Sequence, residues 1–280
     1  MKVAIQGNEG SYSHIAVDNY FKGKEYSLVE CSQFLDVFDA LRSEEADTIV
    51  VPIENSTFGS IYQNYDLLTE TQFPIVGEIY LKINFYLSTF PGVAFEDIQE
   101  AYIHPVAMGQ IQSFIKENPQ IKFHEFEDTA GALKMIRDQN MLNAAGAASK
   151  FAAKYYGMQI AKENIQENSK NYTRFYVIRR QNSVLENQKG EEYKTTIEFE
   201  LGEEAGSLYK TLRCFADRDI ALTKIESRPI MNTDWQYRFY VDVLALKGEQ
   251  RVTNALREVA DYATNLRILG TYKEGKYIDT

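Results

Sequence analysis

An α/β fold in two parts is predicted: a doubled α/β body with a crevice between its halves, followed by a smaller ferredoxin-like domain. Three observations carry this. Strand and helix signals alternate through the first 180 residues, an order that produces mostly parallel sheets covered on both faces. The polar, aromatic-free run "RRQNSVLENQKGEE" then interrupts the pattern. Beyond it, four strand signals and two striped helices follow in β-α-β-β-α-β order. A length of 280 residues suits about two domains, at roughly 100–200 residues each. The expected boundaries are 1–180 for the body, 181–192 for a linker and 193–280 for the small domain.

The elements follow in order. "KVAIQG" is a short buried strand, and "SYSHIAVDNYF" a helix opened by serine. "YSLVEC" reads as strand. "SQFLDVFDALRSEEA" reads as helix, with Phe34, Val37, Phe38 and Leu41 on one face. "DTIVVPIENS" is a strand that ends in a polar loop. "FPIVGEIYLKINFYLSTF" gives one or two extended segments. "EAYIHPVAMGQIQSFIKENP" gives a strand and then a helix with proline in its first turn. "IKFHEFED" is strand, and "TAGALKMIRDQ" and the alanine-packed "NAAGAASKFAAKYYG" are expected helices. "NYTRFYVI" closes the body as a strand. In the small domain, Leu208, Leu212 and Phe215 stripe the first helix, and Val252, Leu256 and Val259 the second.

Composition excludes several classes of function. The formal charge is −10 with no basic block, so no nucleic-acid or anionic-membrane partner is expected. No uninterrupted apolar stretch approaches the ~18 residues of a membrane span, and the N-terminal apolar run is too short for a signal peptide. Cys31 and Cys214 form no CxxC and read as reduced thiols, so the expected compartment is the cytoplasm. His14, His104 and His124 lack metal-ligand spacing, and no metal is expected. "GNEGSYSH" has neither the GKS/GKT ending of a P-loop nor the third glycine of a dinucleotide fingerprint, so no cofactor is expected. His104, before Pro105, reads as a capping or packing residue.

Loops joining strands to helices share one design. "GNEGSYSH", "PIENSTFGS", "IHPVAMGQ" and "EDTAGA" place polar and small residues where helices begin. Unpaired backbone N–H groups and a partial positive charge at such ends suit carboxylate or phosphate. Four such loops round one crevice point to a small anionic ligand. Asn171, Thr173 and Arg174 enter the closing strand as three polar groups within four positions, and on their own would mark only a strand edge.

Taken in order, "GNEGSYSHIA", "PIENSTFGSI", "HPVAMGQ", "DTAGA", "NAAGAASKFAAKYYG" and "NYTRFYVI" resemble the prephenate dehydratase family. "GSLYKTLRCFADRDIALTKIESRP" resembles the ACT regulatory domain attached to its members. The resemblance covers nearly the whole chain. It implies a two-lobed, periplasmic-binding-protein-like catalytic domain and a C-terminal ferredoxin-like ACT domain. The implied reaction converts prephenate to phenylpyruvate, losing water and carbon dioxide, in phenylalanine synthesis. L-phenylalanine is implied as feedback inhibitor, and a homodimer or homotetramer through the ACT domains as the assembly. The family's catalytic motifs fall on Thr173, Arg174 and Phe175, on Glu54, Asn55 and Ser56, and on Gln110. The effector motifs fall on Gly206, Ser207 and Leu208 and on Glu226, Ser227, Arg228 and Pro229. This chain departs from the family in three places: Asn8 stands where proline is usual, Ile103 and Val106 flank His104–Pro105, and Ser207 replaces an alanine.

On that resemblance, Thr173 is expected to hydrogen-bond the departing oxygen, with Glu54 as the rival acid. Arg174 or the helix N-termini are expected to hold the pyruvyl carboxylate. A salt bridge to the other, departing carboxylate would stabilise the reactant and slow its loss. Phe175 is expected to wall the ring. Arogenate as substrate and a non-catalytic cytosolic sensor remain the alternatives.

Overall fold

The computed structural model describes residues 1–181, 192–231, 233, 236–246 and 249–280. The linker expected at 181–192 falls almost wholly outside the described residues. The chain divides into two units: Met1–Thr71, Ile79–Val177 and Lys276–Thr280 form the first, Gln72–Glu78 and Ile178–Gly275 the second. This division departs from the expected boundaries in three places, one being residues 178–180, which go with the second unit. Gln72–Glu78 belongs with the second unit, and Lys276–Thr280 returns to the first.

The first unit starts with β1 (Lys2–Gln6), α1 (Tyr12–Tyr20), β2 (Ser27–Cys31), α2 (Phe34–Arg42), β3 (Thr48–Asn55), β4 (Gly59–Ser60) and α3 (Tyr62–Thr71). Next come β5 (Ile75–Lys82), β6 (Tyr86–Thr89), β7 (Glu100–Ile103), α4 (Pro105–Gln110), α5 (Gln112–Glu117) and β8 (Lys122–Glu125). It continues with α6 (Thr129–Asp138), β9 (Ala144–Ala148), α7 (Lys150–Tyr155), β10 (Gln159–Lys162) and β11 (Tyr172–Arg179).

The second unit supplies β12 (Glu192–Leu201), α8 (Ser207–Ala216), β13 (Ala221–Pro229), β14 (Tyr237–Leu246), α9 (Gln250–Val259) and β15 (Ala263–Lys273). A last strand, β16 (Tyr277–Ile278), closes the chain.

Two sheets build the first unit. One runs β16-β5-β11-β3-β1-β2, with β4 hairpinned onto β3; β1 is parallel to both β2 and β3. The other runs β10-β6-β9-β7-β8. In it β7 lies parallel to β8 and β9, while β6 is antiparallel to β9 and β10.

The alanine-rich "NAAGAASKFAAKYYG" is only half helical. Alanine has the highest intrinsic helix propensity, yet Ala144–Ala148 is a fully buried central strand, β9, and only Lys150–Tyr155 coils. Packing explains the override: a Cβ added at Gly146 would sit 2.7 Å from Leu133 Cδ2 of α6. Only a strand of small side chains lets the helix lie that close. The single helix expected after His104 is likewise two short ones, parted at Ile111.

The second unit keeps the expected element order. Its antiparallel sheet runs β13-β14-β12-β15, with α8 and α9 packed on a core of Ile197, Phe199, Phe215, Val241 and Val259. Within this unit lies a buried ion pair, Lys194 Nζ to Glu78 Oε1 at 2.7 Å, both side chains being at most 2% exposed. Glu274 stands 3.6 Å from the same ammonium, and the Gly275 amide donates to Glu78.

Among the described residues no helix is long and apolar enough to cross a membrane. Nor do they contain a cluster of three or more His, Cys, Asp or Glu placed to hold a metal.

Candidate active site

Parallel strands end, and helices begin, round one cavity of about 480 Å³ in the first unit. Its volume falls within the range of small-molecule sites, about 300–1,000 Å³. Gln6 ends β1, Ser32 follows β2, Asn55 ends β3 and His104 follows β7; all four line it. This is where open α/β sheets bind ligands, outside the carboxyl ends of their strands. The N-termini of α1, α2 and α6 reach it through Ser11–Ser13, Gln33–Phe34 and Asp128–Thr129.

Four buried polar side chains at the cavity form a hydrogen-bond chain whose direction can be read from its ends. The amides of Thr57 and Phe58 donate to Asn55 Oδ1 at 3.0 and 2.8 Å, which fixes the orientation of the Asn55 amide. Asn55 Nδ2 then donates to Asn171 Oδ1 at 2.8 Å and to Thr173 Oγ1 at 3.0 Å. Asn171 Nδ2 in turn donates to Gln110 Oε1 at 2.6 Å. Thr173 and Gln110 thus have their oxygens occupied as acceptors, and their own protons are left to donate. Both residues line the cavity. Asn171, a member of the "NYTRF" motif left without a role in the sequence reading, is the joint of this chain and only 1% exposed.

Phe175 lines the cavity on the same face of β11 as Thr173, beside Tyr12, Ile83 and Phe85. Arg174 does not. Side chains alternate along a strand, so Arg174 projects from the other face, where its guanidinium lies 4.8 Å from the Tyr176 ring centroid and 5.7 Å from that of Tyr80. Its Nη1 is 3.4 Å from Glu54 Oε2. Glu54, the rival acid, is therefore also turned away from the cavity lining. Ser56 is exposed and outside the lining; it donates to the Lys170 carbonyl and accepts from the Tyr172 amide, tying the β3 loop to β11. Neither Arg174, expected with the helix N-termini as a holder of the carboxylate, nor Glu54, expected as the rival acid, lines the cavity.

Among the described residues that line the cavity there is no lysine or arginine, while Glu127 and Asp128 are present. Asp128 Oδ2 accepts from the Asn8 amide, Asn8 Nδ2 and the Gly131 amide, so it caps α6 and holds the first loop. His104 Nδ1 accepts from the Val106 amide. Burial lowers the His104 pKa, against a smaller opposing effect of Asp128, so the ring is neutral at pH 7 and carries its proton on Nε2.

His14 also supports the first loop, its Nδ1 accepting from the Gly10 amide at 2.9 Å. Burial lowers its pKa from 6.5, outweighing the carboxylates of Asp18, Glu9 and Glu30. The native state therefore resists a proton that the unfolded chain accepts. Stability from this group is fully present above pH 6.5 and falls as pH drops toward the lowered native value. In urea titrations between pH 7 and 5, His14→Asn should lose less stability than the unsubstituted protein.

The expected effector residues lie on two elements of the second unit. Gly206 takes a φ of +82°, open to glycine, and starts α8, followed by Ser207 and Leu208. Glu226 and Arg228 alternate with the exposed Ser227 and Pro229 along β13, an edge strand.

The sequence model of the prephenate dehydratase family matches residues 3–183. An Arabidopsis thaliana relative, arogenate dehydratase/prephenate dehydratase 2, chloroplastic, is 38% identical over 281 residues, 97% of this chain and 72% of its own. Among solved structures, a prephenate dehydratase from Arthrobacter aurescens in complex with L-Phe is 26% identical with a TM-score of 0.87. That match covers 98% of this chain and 90% of the other. GqqA, described as a novel type of quorum quenching acylase, is 29% identical with a TM-score of 0.87, over 98% of both chains.

Proposed function

The chain belongs to the prephenate dehydratase family, and we propose that its first-unit cavity is where prephenate loses water and carbon dioxide to give phenylpyruvate. The carrying observation is the Thr173 hydroxyl, which accepts from Asn55 and so keeps its proton for a group in the cavity. Aromatisation already drives the elimination, so the site has to hold one geometry and stabilise charge on the departing oxygen. Thr173 donates to that oxygen. Phe175, Phe85, Ile83 and Tyr12 supply the apolar wall for the ring.

With Arg174 outside the cavity, the pyruvyl carboxylate is held by neutral donors. These are the Gln110 amide, His104 Nε2–H and the first amides of α1, α2 and α6, which have no partner within their own helices. A site without a side-chain cation also suits the second carboxylate, since nothing there locks it against departure. Arg174 acts from behind β11 as a positioning residue.

In the second unit, L-phenylalanine binds at the Gly206–Leu208 turn and along Glu226–Pro229 as the inhibiting end product. The small domain is an ACT-type regulatory module through which copies of the chain associate, in a cytoplasmic enzyme.

The two activities in the Arabidopsis relative's name and one local feature favour a second substrate. Glu127 and Asp128 line the cavity; an ammonium in place of the keto group, as in arogenate, would be attracted to them. Glu127→Gln should lower kcat/KM for arogenate several-fold while leaving that for prephenate unchanged or higher. Phenylpyruvate formation from prephenate, and phenylalanine formation from arogenate, with and without added phenylalanine, test the proposal as a whole. Turnover of neither substrate by folded protein would overturn it.

A further inference from the structure

The segment after β15 leaves the second unit and contributes a strand to the first. β16 lies parallel to β5, pairing Tyr277 with Tyr80 and Ile278 with Leu81. The Tyr80 amide donates to the Lys276 carbonyl at 3.0 Å. The Tyr277 ring stacks on Tyr80 with centroids 4.5 Å apart and planes 11° apart, and meets Tyr172 edge-on at 5.3 Å. Further along, Thr280 Oγ1 donates to the Lys82 carbonyl at 2.7 Å, and Asn84 Nδ2 donates to the Thr280 carbonyl at 3.0 Å.

Asn84 is a junction. Its Oδ1 accepts from Gln166 Nε2, whose own Oε1 accepts from the Phe85 amide at 2.8 Å. Its backbone carbonyl accepts from the Tyr12 hydroxyl at 2.6 Å. Phe85 and Tyr12 stand edge to face, with centroids 6.0 Å apart, and both line the cavity with Ile83. The Thr280 tether therefore ends on Asn84, which is bonded to that wall, and the Tyr277 tethers end on Tyr80, behind Arg174, and on Tyr172 of β11.

We infer that residues 277–280 are a positioning element of the catalytic cavity, setting its affinity for the ring of the substrate by holding the Tyr12–Phe85 wall. The inference rests on the assignment of the cavity to a cyclic acid. It predicts a defect in binding rather than in chemistry, because the segment's tethers lead to Tyr80, Tyr172, Lys82 and Asn84 and not to the side chains of Thr173, Asn55, Asn171 or Gln110. A wall that holds ground state and transition state alike changes KM and leaves kcat in place.

The test compares the unsubstituted protein with Tyr277→Ala, Tyr277→Phe, Thr280→Val and a chain ending at Lys276. Tyr277 is 66% exposed, so its truncation leaves the core intact. Tyr277→Ala should raise KM for prephenate about tenfold with kcat within about twofold, and Thr280→Val should act in the same direction. Tyr277→Phe keeps the stacked ring and should lie closer to the unsubstituted protein than Tyr277→Ala does. Hydrogen exchange gives a readout that does not depend on turnover: the amides of Ile83 and Phe85 should exchange faster in Tyr277→Ala and in the shortened chain. Unchanged KM together with unchanged exchange at those amides would overturn the inference. Absence of turnover in the unsubstituted protein would instead remove the assignment of function, with exchange still deciding the role of the segment.

Discussion

Thr173→Val lowers kcat for prephenate by about 10²–10³, the usual loss when one donor to developing charge is removed. Valine keeps the shape of the side chain and replaces the hydroxyl by a methyl group. The fold should survive, because Thr173 sits at the cavity surface and Asn55 Nδ2 retains Asn171 Oδ1 at 2.8 Å and the Tyr172 carbonyl at 3.3 Å. The effect should appear in kcat, since the donor matters most when charge has grown on the departing oxygen. Thr173→Ser restores the hydroxyl and should recover most of the rate. Glu54→Gln should be close to unsubstituted, because its carboxylate lies against Arg174 and away from the cavity. Folded Thr173→Val with normal kcat would take the leaving-group role from this residue.

Lys194→Met should destabilise the protein by about 3–5 kcal/mol, the cost of leaving a buried charge without its partner. Glu78 has a fully buried side chain 2.7 Å from the ammonium, and the Gly275 amide also donates to it. Methionine follows the lysine stem closely, so the loss reflects charge rather than a cavity. The double variant Lys194→Met, Glu78→Leu should recover much of the stability, since two apolar side chains carry no desolvation cost. Urea midpoints for the three proteins separate these outcomes. Equal midpoints for Lys194→Met and the unsubstituted protein would mean that water reaches this pair.

Much of the fold is legible because its periodicities are clean. Phe34, Val37, Phe38 and Leu41 mark α2, and Leu208, Leu212 and Phe215 mark α8. Where the structure departs from the expected elements, packing and pairing outweigh local preference. Ala144–Ala148 has helix-forming composition, yet the sheet needs small residues where α6 passes close to Gly146. β16 spans only Tyr277 and Ile278 and gives no periodic signal; it exists because β5 offers it an edge.

At the site, the motif places Thr173 and Phe175 on one face of β11 and Arg174 on the other. With Thr173 inward, a period of two sends Arg174 outward and Phe175 inward, an inference available from "NYTRFYVI" alone. Asn171 carries no comparable local signal. Its importance comes from Asn55 and Gln110, which are distant in sequence and meet it only after β3, α4 and β11 have assembled.

The pH dependence of kcat on prephenate tests the neutral-donor mechanism most directly. A threonine hydroxyl does not titrate in the working range, and His104 stays neutral above its ordinary 6.5. The expected profile is flat from there to about pH 9, with Thr173→Val lower by the same factor throughout. A fall in kcat as pH rises through that window would mark a titrating acid as the proton donor and would contradict the role given to Thr173.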